Sequence, residues 1–520
     1  VSEAVAPTRE ERLAAATRGM TLALYAQVAP DRKAIASPSG DRTFAELNAN
    51  ANRLVRALRA RGIGEGDALV LVCGNRPEFA EVLSACQRMG VRTTPANWHL
   101  TGGELEYIVS DSDASVVIGD ARFASSVAAA SERVRVRLAV GGAIAGFDSY
   151  ADAIAEQPGE DILDPVVGRT MLYTSGTTGR PKGVDRPPTT LEATPLTIAL
   201  ASATRYDAAT DVHLCTGPLY HAAPLAFSLS APLAYGVGVV LMDGWDAEET
   251  LRLVARHHVT HTHMVPTMFH RLLALPEAVK QRDDLSSLRF VLHGAAPCPV
   301  AVKQALIEWL GPVVYEYYAA TEGGGTFVGP EEWLEKPGTV GRPVDEGLIR
   351  ILGAEGAELE PDAIGTVYLR APAHGRFRYY KDDAKTSSSY RGDYFTLGDH
   401  GYLDDDGYLF LTGRSAELII TGGVNVYPAE VDAVLLTHPA VADAGTIGLP
   451  DDEWGEVVRS VVELKPDVVA SDDLARELVV WCQDNLAHFK CPRAVDFVEH
   501  LPRHDNGKLY RGKLREMYVA

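Results

Sequence analysis

The chain has 520 residues, with 49 Lys and Arg against 70 Asp and Glu, a net charge of -21, 46% hydrophobic and 23% charged residues. That length exceeds one ordinary core and asks for several packed units. The composition is that of a water-soluble globular protein, and the acidity excludes nucleic acid and anionic membrane as general partners. The N-terminus lacks the basic and apolar regions of a signal peptide, and the longest apolar-looking stretch, 227–242, is too short to span a bilayer and is broken by Pro232 and Gly236. The six cysteines make no C-x-x-C pair. Core thiols in a reducing, cytoplasmic protein are therefore expected, without stable membrane insertion.

In chain order, helical periodicity is expected over 9–27 and 44–61, a buried strand over 68–73, a helix over 77–89 and a short strand after it. Strands and helices then alternate: strands at 115–118, 212–215 and 237–242, a helix at 246–257, a strand at 260–264, a helix at 266–275, a strand at 290–293, a helix at 299–309 and a strand at 313–318. This is the pattern of an α/β fold with parallel strands and crossover helices, and ligands in such sheets sit at the carboxyl ends of strands. Beyond about 340 short strands dominate, among them 365–370 and 407–412. A compact α+β pattern follows, with helices near 428–437, 472–485 and 510–517 and strands near 441–448, 457–464 and 494–498. The fold class expected is α/β: a large N-terminal multi-layer domain, 1–413, and a small α+β domain, 414–520.

One string carries the most chemistry: Thr174-Ser175-Gly176-Thr177-Thr178-Gly179-Arg180-Pro181-Lys182-Gly183. Its glycines let the backbone curl around an anion, its hydroxyls and N–H groups point at that anion, and Arg180 and Lys182 add charge. It suits a polyphosphate. It is not the P-loop, because Pro181 precedes Lys182 and Gly183 follows it, so no helix is expected to open there. Further strings follow: Pro218-Leu219-Tyr220-His221, Gly294-Ala295-Ala296-Pro297, Glu316-Tyr317-Tyr318-Ala319-Ala320-Thr321-Glu322, the pair Gly398-Asp399 and Gly413-Arg414, Thr421-Gly422-Gly423, and Gly507-Lys508.

Together, over about 20–517, these strings resemble the adenylate-forming superfamily of acyl-CoA synthetases, luciferases and peptide-synthetase adenylation domains. The resemblance is nearest to bacterial fatty-acid or alicyclic-acid acyl-CoA synthetases. It implies ATP, Mg²⁺ and coenzyme A, with Lys508, Glu322, Thr177 and His221 catalytic and Glu322 and Thr177 holding the metal. It assigns ATP and AMP to Thr174, Ser175, Gly176, Thr178, Gly179, Lys182, Gly294, Ala295, Ala296, Pro297, Glu316, Tyr317, Tyr318, Thr321, Asp399 and Arg414. The acyl pocket would be lined by His221, Ala222, Ala319, Ala320 and Gly323. Coenzyme A would meet Gly422, Gly423 and Lys490, and the hinge would be Ala416. In physical terms two anions must meet, so Lys508 would bridge the carboxylate and the α-phosphate where charge builds. Mg²⁺, a hard cation, would sit on Glu322 and phosphate oxygens. Lys513, close by, reads as a surface residue.

Three positions depart from the family pattern: Ala416 where the hinge is usually charged, Tyr317 where glycine is frequent, and Leu397 where threonine is common. The stretch after Tyr220 has no acidic residue to pair an ammonium, which disfavours amino-acid substrates. Ala319, Ala320 and Gly323 leave room, so a medium-to-large hydrophobic acid, fatty or bulky alicyclic, is expected. The alternatives are an enzyme that stops at acyl-AMP or passes the acyl group to another protein, and a non-catalytic scaffold that binds nucleotide and acyl groups. The expected partners are small molecules, and a homodimer is left open.

Overall fold

The computed structural model describes residues 7–174, 181–187, 202–343, 347–372, 376–414, 417–421, 424–451, 454–503 and 507–519. Helices start where the sequence supplies a cap. At helix Phe44–Arg59 the Thr43 hydroxyl accepts from the Glu46 N–H and the Glu46 carboxylate accepts from the Thr43 N–H at 2.8 Å, which satisfies two otherwise orphaned donors. Its stripe of Leu47, Ala51, Leu54, Val55 and Leu58 is fully buried. The helix expected over 9–27 is instead two, Arg9–Ala16 and Thr21–Val28, because the chain turns at 17–20, with the Arg18 and Gly19 N–H groups bonded to Ala15 and Ala16 carbonyls.

Two sheets clasp those first helices. One has six strands, in the order Asp148–Ser149, Val136–Val140, Val116–Asp120, Ala68–Val72, Arg92–Pro95 and Arg169–Thr170, all parallel. The other has eight, in the order Gly323–Val328, Val314–Ala320, Phe290–His293, His261–Met264, Val212–Cys215, Gly238–Leu241, Lys33–Ala36 and Arg42–Thr43. The end pairs of the larger sheet are antiparallel and the strands between them parallel. A single core joins Leu69 and Leu71, the helix Phe44–Arg59, and Ile35, Val239 and Leu241, so the helix lies between the sheets. The opposite face of the eight-stranded sheet packs on helices Ala247–His257, Pro266–Leu273 and Val300–Leu310.

A five-stranded sheet from Ile349–Leu352 to Leu409–Arg414 completes the large part of the chain. The next described strand, Ile419–Thr421, already belongs to the sheet of the C-terminal part, with Val424–Val426, Gly455–Leu464, Val441–Asp451 and Ala494–Val498. That sheet has its own core against helices Pro428–Leu435 and Asp472–Asn485. The stretch 227–242 resolves into a π-helical turn, Pro224–Ser230, a short helix, Ala231–Ala234, and the strand Gly238–Leu241. The Ala231 N–H reaches back five residues to the Ala226 carbonyl, a wide turn of the kind that collects at functional sites. Cys73, Cys86, Cys215, Cys482 and Cys491 are buried and Cys298 half-buried, all as free thiols. No helix among the described residues is long and apolar enough to cross a membrane.

Candidate active site

Strands Leu172–Thr174 and Lys182–Asp185 pair antiparallel, with Thr174 opposite Lys182. The glycine-hydroxyl run therefore connects two paired strands, and Lys182 opens a strand and not a helix. Ser175, Gly176, Thr177, Thr178 and Gly179 lie outside the described residues. At the loop's root the Lys182 ammonium stands 2.5 Å from Asp382 Oδ2, both half-buried.

A second group assembles from three distant parts of the chain. Asp399 sits opposite Arg414 in the antiparallel pairing of Tyr394–Leu403 with Leu409–Arg414. Its Oδ1 accepts from Arg414 Nε at 2.8 Å and its Oδ2 from the Tyr318 hydroxyl at 2.7 Å. A carboxylate has about four lone-pair sites, so two remain for a vicinal diol such as ribose. The Tyr318 ring, half-buried beside it, offers a flat face to a base. Ala295, at the end of strand Phe290–His293, holds a left-handed φ of +68°, a conformation costing roughly 1–2 kcal/mol in a residue with a Cβ. The strained turn leaves Ala295 and Pro297 exposed and Ala296 half-buried at that strand end.

Lys508 arrives from the C-terminal part. Its charge lies near Arg414, Asp399 and Glu417, and burial, followed by the Arg414 guanidinium, pulls its pKa down to about 8. Two contacts set its approach. Arg503 grips Asp443 through two bonds of 2.5 and 2.6 Å and donates to the Gly507 carbonyl at 2.7 Å. Gly507 has φ +76°, and a Cβ there would stand 2.2 Å from Thr267 Oγ1, so only glycine lets this turn lie against the start of helix Pro266–Leu273. Lys513 is exposed, as expected.

Glu322 lies in the turn joining strands Val314–Ala320 and Gly323–Val328, just after Thr321. It is buried, Oε1 accepts from the Tyr379 hydroxyl at 2.8 Å, and its backbone carbonyl accepts from Arg186. One carboxylate held in this way suits Mg²⁺, which keeps waters and phosphate oxygens for its other positions. Neither Tyr379, Arg186, Arg503 nor Thr267 was marked by a sequence motif. Each acts through a partner dozens of residues away, and no local pattern announces that.

Two side chains expected at the nucleotide are engaged elsewhere. Glu316, read as a nucleotide contact, gives its carboxylate to Lys303 at 2.7 Å on the sheet face packed by helix Val300–Leu310, with His293 at 3.5 Å. Tyr317, also read as a nucleotide contact, points to the other face, as alternation along a strand requires. It joins an aromatic cluster with Phe227 and Phe290. Ala319 and Ala223, both half-buried like His221 and Ala222, pack on that cluster, so the space expected on account of Ala319, Ala320 and Gly323 is bounded by bulky rings. His221 packs on Tyr220, with centroids 4.5 Å apart, and Tyr220 meets Trp98 edge-on at 6.3 Å. Lys490 pairs with Glu430 at 2.6 Å, while Ala416, Gly422 and Gly423 lie outside the described residues.

The model of the family described as AMP-binding enzyme matches residues 22–380, and that of the AMP-binding enzyme C-terminal domain matches 430–508. The chain belongs to the AMP-binding enzyme family. This AMP-binding enzyme is 32% identical over 527 aligned positions to the long-chain-fatty-acid–CoA ligase FadD13 of Mycobacterium tuberculosis, covering 96% of this chain and 98% of the relative. It is 34% identical to a 2-succinylbenzoate–CoA ligase of Bacillus licheniformis, covering 94% and 98%. Its fold is similar to that of the anthranilate CoA ligase AuaEII in complex with anthranoyl-AMP, with a TM-score of 0.86, 27% identity, and 96% and 97% of the two chains covered. The two-part α/β architecture is thus that of adenylate-forming enzymes.

Proposed function

We propose that this AMP-binding enzyme is an acid–CoA ligase, using ATP, Mg²⁺ and coenzyme A, and that its acid is medium to large and hydrophobic. The observation that carries the reading is the approach of Lys508 to Arg414 and to Asp399, which Tyr318 and Arg414 hold, residues otherwise far apart in sequence. In the first step a carboxylate oxygen attacks the α-phosphorus, the bond to the β-phosphate breaks, and pyrophosphate leaves. Tyr318 stacks the base, while Asp399 and Arg414 hold the ribose. The buried Lys508 ammonium neutralises the carboxylate and the α-phosphate where negative charge accumulates, an arrangement that favours the transition state over the ground state. Thr174, Lys182 and the loop between them cradle the outer phosphates. Glu322, fixed by Tyr379, would hold Mg²⁺, which would supply positive charge to the phosphates. In the second step the thiol sulfur attacks the acyl carbonyl and AMP leaves. Gly422 and Gly423 line the thiol path, with Ala416 as hinge between a large part ending at 413 and a small part beginning at 414.

The relatives are named for a long-chain fatty acid, a 2-succinylbenzoate and an anthranilate, so aromatic acids join the fatty and alicyclic acids as candidates here. Each buried CH₂ is worth about 0.8 kcal/mol, so affinity should rise with the size of the tail. The test is pyrophosphate release with and without coenzyme A, with mass detection of acyl-AMP and acyl-CoA. Acyl-CoA formed only with coenzyme A, and octanoate or a polycyclic acid ahead of acetate, are the expected results. Acetate ahead of both contradicts the size assignment. Acyl-AMP without any acyl-CoA favours the reading kept open by Ala416, an enzyme that stops at the adenylate or hands the acyl group to a protein.

A further inference from the structure

The aromatic cluster on which Ala319 packs carries polar groups as well as rings. One face of the eight-stranded sheet presents His261 and His263, then Phe290 and Leu292, then Tyr315 and Tyr317. The rings touch: Phe290 stacks on Tyr315 at 4.4 Å and Phe227 meets Tyr317 at 4.8 Å and 66°. The Tyr317 hydroxyl lies 3.1 Å from His263 Nε2. It reaches that nitrogen across an intervening strand because the strand ends in Gly294, where a Cβ would stand 2.6 Å from the tyrosine ring. Tyr317 is 4% exposed and His263 1%, whereas Ala203, Ala223, Phe227 and Ala319 above them are half-buried. The pair is thus the more buried part of this group, with those four residues on its less buried side.

Burial keeps the His263 imidazole neutral, its pKa pushed down to about 3. A neutral imidazole has one N–H and one bare nitrogen. With Nε2 bare, the phenol donates to it and its oxygen still accepts. With Nε2 protonated, the phenol oxygen accepts and its O–H is left to donate. Either tautomer leaves the phenol one further hydrogen bond, in whichever sense a ligand requires.

We propose that the Tyr317–His263 pair is the specificity element of the acyl site, selecting a ring-bearing acid with an oxygen function, hydroxyl or keto, at the end remote from its carboxylate. The proposal rests on the acid-activating reading above. A flat ring packs beside Phe227, against Ala223 and Ala319 at the cluster's less buried edge, and the ring oxygen meets the phenol. A bare hydrocarbon tail displaces water from that phenol and returns no hydrogen bond, which is the situation in which sites discriminate most strongly.

The experiment measures pyrophosphate release, with ATP and Mg²⁺, from octanoate and two matched pairs: 4-hydroxycinnamate against cinnamate, and 3-(4-oxocyclohexyl)propanoate against 3-cyclohexylpropanoate. The oxygenated member of at least one pair is expected to lead by about tenfold or more in kcat/KM, ahead of octanoate as well. Tyr317→Phe should pull that ratio towards unity, whereas a residue that only packs would move both members alike and leave the ratio standing. Should Tyr317→Phe fail to fold, the wild-type ratios decide. Pyrophosphate release without oxygen preference in either pair, or with octanoate foremost, overturns this proposal alone. No release from any of the acids overturns the acid-activating reading beneath it.

Discussion

Lys508 is the ammonium proposed to neutralise two reactants, and its surroundings set its charge. Burial and the neighbouring Arg414 disfavour its charge, and Asp399 and Glu417 only partly restore it, so its pKa sits at about 8. The sign follows directly: the charged form dominates below that pH and is lost as pH rises through it. The kcat/KM for acyl-AMP formation, which reports the free enzyme, should therefore fall about tenfold per pH unit above pH 8. A profile flat to pH 9.5 would contradict the role given to this lysine. Gly507 supplies an independent handle. Gly507→Ala places a methyl group against Thr267 at a positive φ, and a loss of at least about tenfold in acyl-AMP formation is expected from misplacing the ammonium by an ångström or so.

At the scale of elements, strand Val314–Ala320 divides its labour by face. Glu316 and Lys303 form an ion pair with almost no solvent contact, Glu316 held above the usual carboxylate range and Lys303 below the usual ammonium range, both chiefly by burial. Removing one partner strands the other, so Glu316→Ala should destabilise the fold by about 3–5 kcal/mol in denaturant melts. KM for ATP, measured on the folded fraction, should stay within about twofold, as the carboxylate is committed to Lys303. A large rise in that KM would restore Glu316 to the nucleotide site. The same strand explains what could be read from sequence. The periodicity of the alternating elements was strong, and strands such as 290–293 and helices such as 472–485 stand where the pattern put them. Which face a side chain takes was also derivable in principle. What was not legible was the object on each face: Lys303 lies a helix away from Glu316, and the reach of Tyr317 to His263 depends on an absent side chain at Gly294. The small residues Ala319, Ala320 and Gly323 suggested space, and only the packing of Phe227 against Tyr317 revealed how that space is bounded.

At the scale of the whole molecule, the proposed reading has the C-terminal part deliver a group to a site on the large part. The motifs were readable because each keeps its chemistry within a few residues. Their convergence was not, since Asp399 meets Tyr318 across 81 residues and Lys508 comes from beyond the last sheet. Contacts such as Gly507 on Thr267, His400 Nδ1 with the Tyr427 hydroxyl at 3.2 Å, and Arg503 on the Gly507 carbonyl hold the arrangement that favours the first step. With Ala416 at the proposed hinge, the second step requires those contacts to break, so weakening them should slow adenylation and spare or speed thioester formation. His400→Ala tests that trade: a lower rate of acyl-AMP formation with an unchanged or higher rate of acyl transfer is expected, and equal losses in both steps would contradict it.

The most direct measurement is the rate of acyl-AMP formation by Lys508→Ala beside the wild-type enzyme, with ATP, Mg²⁺ and a turned-over acid, in a rapid-quench experiment read by mass spectrometry. Loss of one donor aimed at the transition state should cost on the order of 10²–10³ in rate. Formation of the adenylate at the wild-type rate would contradict the central claim that this ammonium brings the two anions together.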